Sequence, residues 1–282
     1  MLSPSFILNE MKDRNSRLKM TIQRDTVRLF AIDIGNSNVV LGVFEDQRLV
    51  ADWRIGTDPA KTTDEYGILV LDLLRTKGIL PEALDAVVLS SVVPPLTSLF
   101  EELSGKYLHR MPLTISSELK TGLILRYDNP AEIGSDRIVN AAAAFRRYGG
   151  PVIIVDFGTA TTFCVVTEEG EYLGGAIAPG IRISAEALFQ HAAKLPKIEL
   201  VRPKSVIGQD TVSSMQAGII FGYAGLVDEI VTRMQQAIGQ DCHVLATGGL
   251  AGLVASESRT IREVTPNLTL EGLALVYHLN LP

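Results

Sequence analysis

Two short apolar runs, Leu29-Phe-Ala-Ile-Asp33-Ile34 and Val152-Ile-Ile-Val-Asp156, set the pattern of the chain. Each is aromatic or β-branched and each reaches an aspartate followed two residues later by glycine, which predicts a buried strand ending in a tight loop. After the first run, residues 39–43 and 49–55 predict two more strands in an antiparallel meander. The second run repeats the plan and ends in Tyr172-Leu-Gly-Gly-Ala-Ile-Ala-Pro-Gly180. The repeat carries further, because Glu45 follows Asp33 at the distance at which Glu168 follows Asp156, and each glutamate opens a polar turn. Helical spacing appears between these units. Tyr66, Leu69, Val70, Leu73 and Leu74 form one stripe and predict a helix over 63–77. Residues 86–90 predict a short strand, and Pro94-Pro95 a break before a helix over 96–108. An ordered loop from Tyr127 precedes an Ala-rich helix over 137–148 that stops at Gly149-Gly150-Pro151. Later helices are expected from about Ile181, over 213–238 and over 268–279, with a strand over 243–247 before the glycine turn Thr247-Gly248-Gly249.

The fold expected is α/β, built from two duplicated halves that each begin with a three-stranded antiparallel unit. A Rossmann fold, by contrast, alternates strand and helix from its start. Residues 28–149 and 150–282 are read as the two domains, and 1–27 as a weakly ordered extension. A length of 282 residues, 46% hydrophobic and 21% charged, suits a globular protein with a sizeable core. A net charge of −6 argues against nucleic acid as a partner. No apolar stretch is long enough for a membrane span and no signal-peptide core is present, so a cytoplasmic protein without a membrane partner is expected. Cys164 and Cys242 give neither a disulfide framework nor zinc spacing, and read as reduced core thiols. His109, His191, His243 and His278 are scattered. Gly218 and Gly222, four apart in the 213–238 helix, predict close helix packing, with a dimer as one setting.

Four places are candidates for phosphoryl-transfer chemistry, which needs phosphates gripped, charge neutralised and an acceptor oxygen relieved of its proton; one of them is the pair of glycine turns, Gly174-Gly175 through Pro179-Gly180 and Thr247-Gly248-Gly249, either of which is placed to line a nucleotide. Asp33, with Gly35, Asn36, Ser37 and Asn38, offers a cation-binding carboxylate beside backbone and side-chain donors; a plain Asx turn is the competing reading of one such loop, weakened by its duplication. Asp156, with Gly158, Thr159 and Thr161, repeats the arrangement. Gly134-Ser135-Asp136-Arg137 lies outside both copies. Asp136 reads either as the N-cap of the following helix or as a general base beside a permanent cation.

Taken in order, Asp33-Ile-Gly-Asn-Ser-Asn, Gly134-Ser-Asp-Arg, Asp156-Phe-Gly-Thr-Ala-Thr-Thr, Gly174-Gly-Ala-Ile-Ala-Pro-Gly and Ile207-Gly-Gln-Asp-Thr-Val-Ser-Ser-Met-Gln-Ala-Gly resemble the motifs of type III pantothenate kinase. The resemblance runs from about Leu29 to the C-terminal helix. It implies two ribonuclease-H-like, actin-like domains with ATP in the cleft between them, a homodimer, and ATP-dependent phosphorylation of pantothenate at the head of coenzyme A synthesis. Residue by residue, it implies that Asp33, Ile34, Gly35, Asn36, Ser37, Asn38, Val39 and Val40 form the first phosphate loop and that Thr159 contacts ATP. Tyr127, Gly134, Ser135, Asp136 and Arg137 would hold pantothenate, with Asp136 as proton acceptor and Thr211 reaching across the dimer. Asp156 would bind a monovalent cation, potassium or ammonium, and Asp33 magnesium. Ser37, Ser135 and Asp210 depart from the usual residues, and Asp210 adds a negative charge near the substrate carboxylate. Two alternatives remain open at this point: a non-catalytic transcriptional accessory factor of the same fold, and a related sugar or acetate kinase.

Overall fold

A computed structural model describes residues 26–281; the expectation for the extension therefore lies outside the described residues from 1 to 25. The first meander forms β1 (Arg28–Ile34), β2 (Asn38–Glu45) and β3 (Arg48–Gly56), paired antiparallel. Helix α1 (Thr63–Thr76) follows. Thr62 caps it through a reciprocal pair: its hydroxyl accepts from the Glu65 N–H, and Glu65 Oε2 accepts from the Thr62 N–H at 2.8 Å. Next come β4 (Ala86–Ser91), α2 (Pro94–Tyr107) and β5 (Pro112–Thr114). The two prolines expected as a break instead open α2, where the missing N–H groups cost nothing and the fixed φ already suits a helix.

Both halves share one strand order. The first sheet runs β3-β2-β1-β4-β5. The second is built from β7 (Val152–Phe157), β8 (Ala160–Val166), β9 (Glu171–Pro179), β10 (His243–Thr247) and β11 (Glu263–Val264), and runs β9-β8-β7-β10-β11 with β6 (Ile124–Leu125) added beside β9. In each, the first three strands are antiparallel and the fourth and fifth run parallel to the first. This is the duplicated ribonuclease-H-like plan, seen now in hydrogen bonding rather than in motif spacing.

The remaining helices are α3 (Ser135–Tyr148), α4 (Ile181–His191), α5 (Thr211–Ile238), α6 (Ala251–Ala255) and α7 (Leu268–Leu279). One face of the first sheet buries Ile32, Ile34 and Leu41 against Tyr66, Val70 and Phe100 of α1 and α2. Its other face buries Leu29, Ala31 and Val88 against Leu270, Leu273 and Val276 of α7, with Val139 and Ala142 of α3. The second sheet packs Ile153 and Phe163 on α5, and Ile154 and Cys164 on the Ile138–Ala141–Ala144 side of α3. Each fully buried Leu, Ile or Val contributes about 2 kcal/mol. Helices α3 and α7 therefore lie between the two sheets. They meet closely: a Cβ on Gly272 would fall 2.1 Å from the Val139 carbonyl oxygen, so only glycine lets α7 reach α3 there. The result fixes the start of α3 between the ends of β1 and β7.

Gly218 and Gly222 meet no neighbour on α5: a Cβ at either would find nothing within 4 Å. Among the described residues, close packing at those positions does not occur. No helix among the described residues is long and apolar enough to cross a membrane.

Candidate active site

Three aspartates surround the point where the sheets and α3 converge. Asp33 ends β1 in register with Ser90 of β4, Asp156 ends β7 in register with Thr247 of β10, and Asp136 stands in the first turn of α3. The Asp33 carboxyl is raised to about 7, by burial first and then by the nearby charges of Asp136 and Asp156, against a hydrogen bond from Ser90 and the charge of Arg54. Burial likewise brings Asp156 to about 7, with Asp136 adding to the rise and Asn140 and Arg54 opposing it. Asp136 is also held above its ordinary range by burial, opposed by the Arg137 N–H and the Arg137 charge. Three acids raised by burial, two of them also by the charge of Asp136, mark a place that favours a cation.

Asp136 is not the N-cap. The helix begins one residue earlier, Gly134 takes the cap position without a side-chain bond, and Asp136 Oδ1 instead accepts from the Arg137 N–H at 2.7 Å. Gly134 is required beside it, since a Cβ there would lie 2.6 Å from Asp136 Oδ1. Ser135 is buried and ties α3 to the first sheet, with its Oγ 2.9 Å from Ser90 Oγ and accepting from the Ser91 N–H at 3.1 Å. The two Asp-x-Gly loops touch directly: Ser37 Oγ and Thr159 Oγ1 lie 2.8 Å apart. Asn36 and Ser37 are exposed, whereas Ile34 and Val39 are core and Val40 is half-buried, so the first loop offers its polar positions outward from apolar anchors.

Arg137 is buried at 8% exposure, and among the described residues its guanidinium forms no ion pair within bonding distance of a carboxylate. Its Nε donates to Cys164 Sγ at 3.3 Å, Cys164 Sγ lies 3.4 Å from the Tyr172 hydroxyl, and Tyr127 stacks obliquely on Tyr172 at 6.4 Å and also bonds Arg137. Burial pushes the Cys164 thiol upward, so it meets Arg137 as a neutral acceptor, and the charge set against the guanidinium is that of the adjoining Asp136, with which it makes no direct ion pair. A buried guanidinium without a direct ion pair is expensive unless an anion completes it.

Asn140 supplies a further opening. Its Nδ2 donates to Asp156 Oδ2 at 3.1 Å, while its Oδ1 is buried with no hydrogen-bond partner. An orphan oxygen beside a buried carboxylate fits a hard cation. Among the described residues no three His, Cys, Asp or Glu side chains converge on one metal position. A magnesium ion fits here only in the way it usually binds nucleotides, through one or two carboxylates together with phosphate oxygens.

Thr211 is not gathered into this cluster. It is the first residue of α5 and lines a separate open hollow of ≈ 790 Å³ with Leu188, Leu195, Met215 and Ile219. Asp210 caps that helix, accepting from the Ser213 N–H at 2.9 Å, a bond that keeps its carboxyl below the usual range. Asn140, Cys164, Ser90 and Arg54 were not among the residues expected from the motifs. Each carries a side chain that reads as ordinary strand or helix composition, and only strand register or helix phase shows what it faces.

A family model described as type III pantothenate kinase matches residues 29–233. The type III pantothenate kinase of Geobacter sulfurreducens is 56% identical over 252 residues, covering 89% of this chain and 99% of the relative. That of Myxococcus xanthus is also 56% identical over 252 residues, covering 89% and 98%. Among solved structures, component A of (R)-2-hydroxyglutaryl-CoA dehydratase from Acidaminococcus fermentans aligns with a TM-score of 0.52 at 14% identity, over 89% of this chain and 97% of that one; a likeness at this identity concerns the fold.

Proposed function

The chain belongs to the type III pantothenate kinase family, and on that footing we propose that Asp33, Asp136 and Asp156 divide the work of one phosphoryl transfer between them. The reaction is the ATP-dependent phosphorylation of pantothenate to 4′-phosphopantothenate, the first step of coenzyme A biosynthesis. The observation that carries the division of roles is the placing of Asp136 by α3 between the two Asp-x-Gly loops, next to the buried Arg137.

In this reading Asp136 takes the proton of the pantothenate hydroxyl. Burial raises its pKa, which makes it a stronger base than an exposed aspartate. Arg137 accepts the substrate carboxylate, which supplies the direct ion pair its buried charge lacks, and Tyr127, Gly134 and Ser135 shape that pocket. The loop from Asp33 to Val40 and the Thr159 hydroxyl hold the ATP phosphates. Magnesium would sit with Asp33 and neutralise phosphate charge; potassium or ammonium would sit with Asp156 and the Asn140 oxygen.

A homodimer accounts for what α5 leaves uncovered. Gly218 and Gly222 are open, and Ile207 at 76%, Val206 at 67% and Phe189 at 45% exposure lie on segments flanking the hollow that Thr211 lines. Exposed apolar side chains beside such a hollow favour a second copy, which would bring Thr211 toward the partner's pantothenate. The Ser213 N–H and hydroxyl offset part of the Asp210 charge, and Asp210→Asn should leave pantothenate affinity nearly unchanged because asparagine caps equally well. The setting proposed is the cytoplasm.

A coupled assay of ADP release tests the assignment. Turnover should require pantothenate, ATP and magnesium, and should rise with potassium or ammonium but not sodium; ATP hydrolysis indifferent to pantothenate would reject it. Cys164→Ala should raise the pantothenate KM about tenfold with kcat little changed, because Arg137 loses the acceptor that orients it, and Cys164→Ser should recover most of the loss. A pure loss of kcat would place Cys164 elsewhere in the mechanism.

A further inference from the structure

Arg54 sits on β3 opposite Val40, which in turn sits opposite Asp33, so the three side chains share one face of the first sheet. The neighbouring Trp53 and Ile55 face the other way and pack into the core with α1 and α2. An arginine on an edge strand ordinarily points to water and discourages strand addition. This one reaches the opposite half of the molecule: a Cβ on Gly249, in the turn after β10, would stand 3.8 Å from Arg54 Nη1. Its charge acts on both Asp33 and Asp156, yet among the described residues it forms no hydrogen bond or ion pair with either. Of the residues placed at the cleft above, Arg137 and Arg54 are the cations, and Arg137 is buried against Cys164 and the tyrosines. Arg54 is exposed and uncommitted.

We propose that Arg54 is a catalytic residue of the phosphoryl transfer, its guanidinium meeting the oxygens of the transferring group from the β3 side of the cleft. The inference rests on the kinase reading above and assigns a part that reading leaves unfilled. In the transfer, the pantothenate hydroxyl oxygen forms a bond to the γ-phosphorus as the bond from that phosphorus to the β–γ bridging oxygen breaks. ADP leaves with the electron pair and Asp136 receives the hydroxyl proton. Negative charge is spread over the three equatorial oxygens at the midpoint, and a fixed guanidinium placed beside them stabilises that state more than the bound ATP. Spanning from β3 to the Gly249 turn, Arg54 also meets the phosphate only when both halves are in place. An arginine suits this duty better than a lysine, because its planar fork bonds two oxygens at once.

Steady-state kinetics of Arg54→Ala and Arg54→Lys, with binding of a non-hydrolysable ATP analogue measured in parallel, decide the matter. Arg54→Ala should lose about 10²-fold or more in kcat while the pantothenate KM and the affinity for the analogue stay within about threefold. Arg54→Lys should recover only part of the loss, and free guanidinium should partly rescue the alanine variant but not Asp136→Asn. A kcat within threefold of wild type overturns the proposal, as does a loss of analogue binding that accounts for the whole defect. Since Arg54 is exposed and unpaired, both variants should melt with the wild-type protein; if the alanine variant does not, the kcat of the lysine variant and the absence of guanidinium rescue decide it. Wild-type protein inactive on pantothenate would instead reject the kinase reading itself.

Discussion

Asp136→Asn should lower kcat by about 10³-fold while leaving ATP binding within about twofold. The geometry separates the two quantities. Asp136 projects from the first turn of α3, whereas the polar positions Asn36 and Ser37 lie in the loop between β1 and β2, and Thr159 in the loop between β7 and β8, and neither loop depends on its charge. Asparagine keeps the side-chain shape and can still accept from the Arg137 N–H, so the 2.7 Å contact that orients residue 136 survives. What disappears is proton affinity. The remaining activity reports positioning and electrostatics alone. The pH profile sharpens the test: with the wild-type carboxyl held above its ordinary range by burial, kcat/KM should fall on the acid side as Asp136 is protonated, and the variant should lose that limb. Near-normal turnover in the variant would remove Asp136 from the chemistry. A parallel loss of ATP binding would mean that its charge organises the cleft.

The sequence carried the duplicated strands because each is an uninterrupted apolar run closed by a glycine loop, a local signal needing no knowledge of partners. The same reasoning could not show which half each helix serves. Helix α7 is apolar nearly all round, and that pattern predicts burial without saying against what; it lies on the first sheet although it follows the second in the chain. β6 holds two residues, too few for any periodicity, and still joins the second sheet. Both cases arise because long-range packing, and not propensity, decides the outcome.

For the site, the motif aspartates were legible and their environment was not. Asp136 admitted two readings because a helix start is uncertain by a residue or two; α3 starts at Ser135, which moves the cap to Gly134 and removes the cap reading. Cys164 read as a core thiol, as it is, but its 3.3 Å contact with Arg137 joins residues far apart in the chain. Arg54 falls inside the strand predicted over 49–55, with nothing in its segment to single it out. Only the register from Asp33 through Val40 turns its charge toward the cleft. Sequence thus showed the residues whose chemistry is unusual in their segment and missed those whose composition is ordinary and whose location is not.

Asp156→Asn should stabilise the cation-free protein at pH 8 and yet cost about 10²-fold in kcat. Burial raises the folded carboxyl from 3.8 to about 7, with Asp136 adding to the rise. A folded pKa above the unfolded one favours the fold most at low pH, below the unfolded value, and that advantage is lost as pH rises through the folded value. Above pH 7 the wild-type protein therefore carries an ionised, poorly solvated carboxylate that the unfolded chain would expose to water. Allowing for water in the open cleft, the penalty is about 2 kcal/mol, and removing it should raise Tm by about 5 °C. Asparagine can still accept from Asn140 Nδ2, so the 3.1 Å bond need not be lost. Well below pH 3.8 the two proteins should melt together, since the carboxyl is then neutral in both states of the wild type. Potassium should raise the Tm of the wild type and not of the variant, because a ligand that binds only the folded carboxylate stabilises by mass action. Equal melting at pH 8, or a variant that still responds to potassium, would show that residue 156 neither carries the strained charge nor holds the ion. The expected pattern makes the instability of the empty site and the activity of the filled one consequences of the same buried charge.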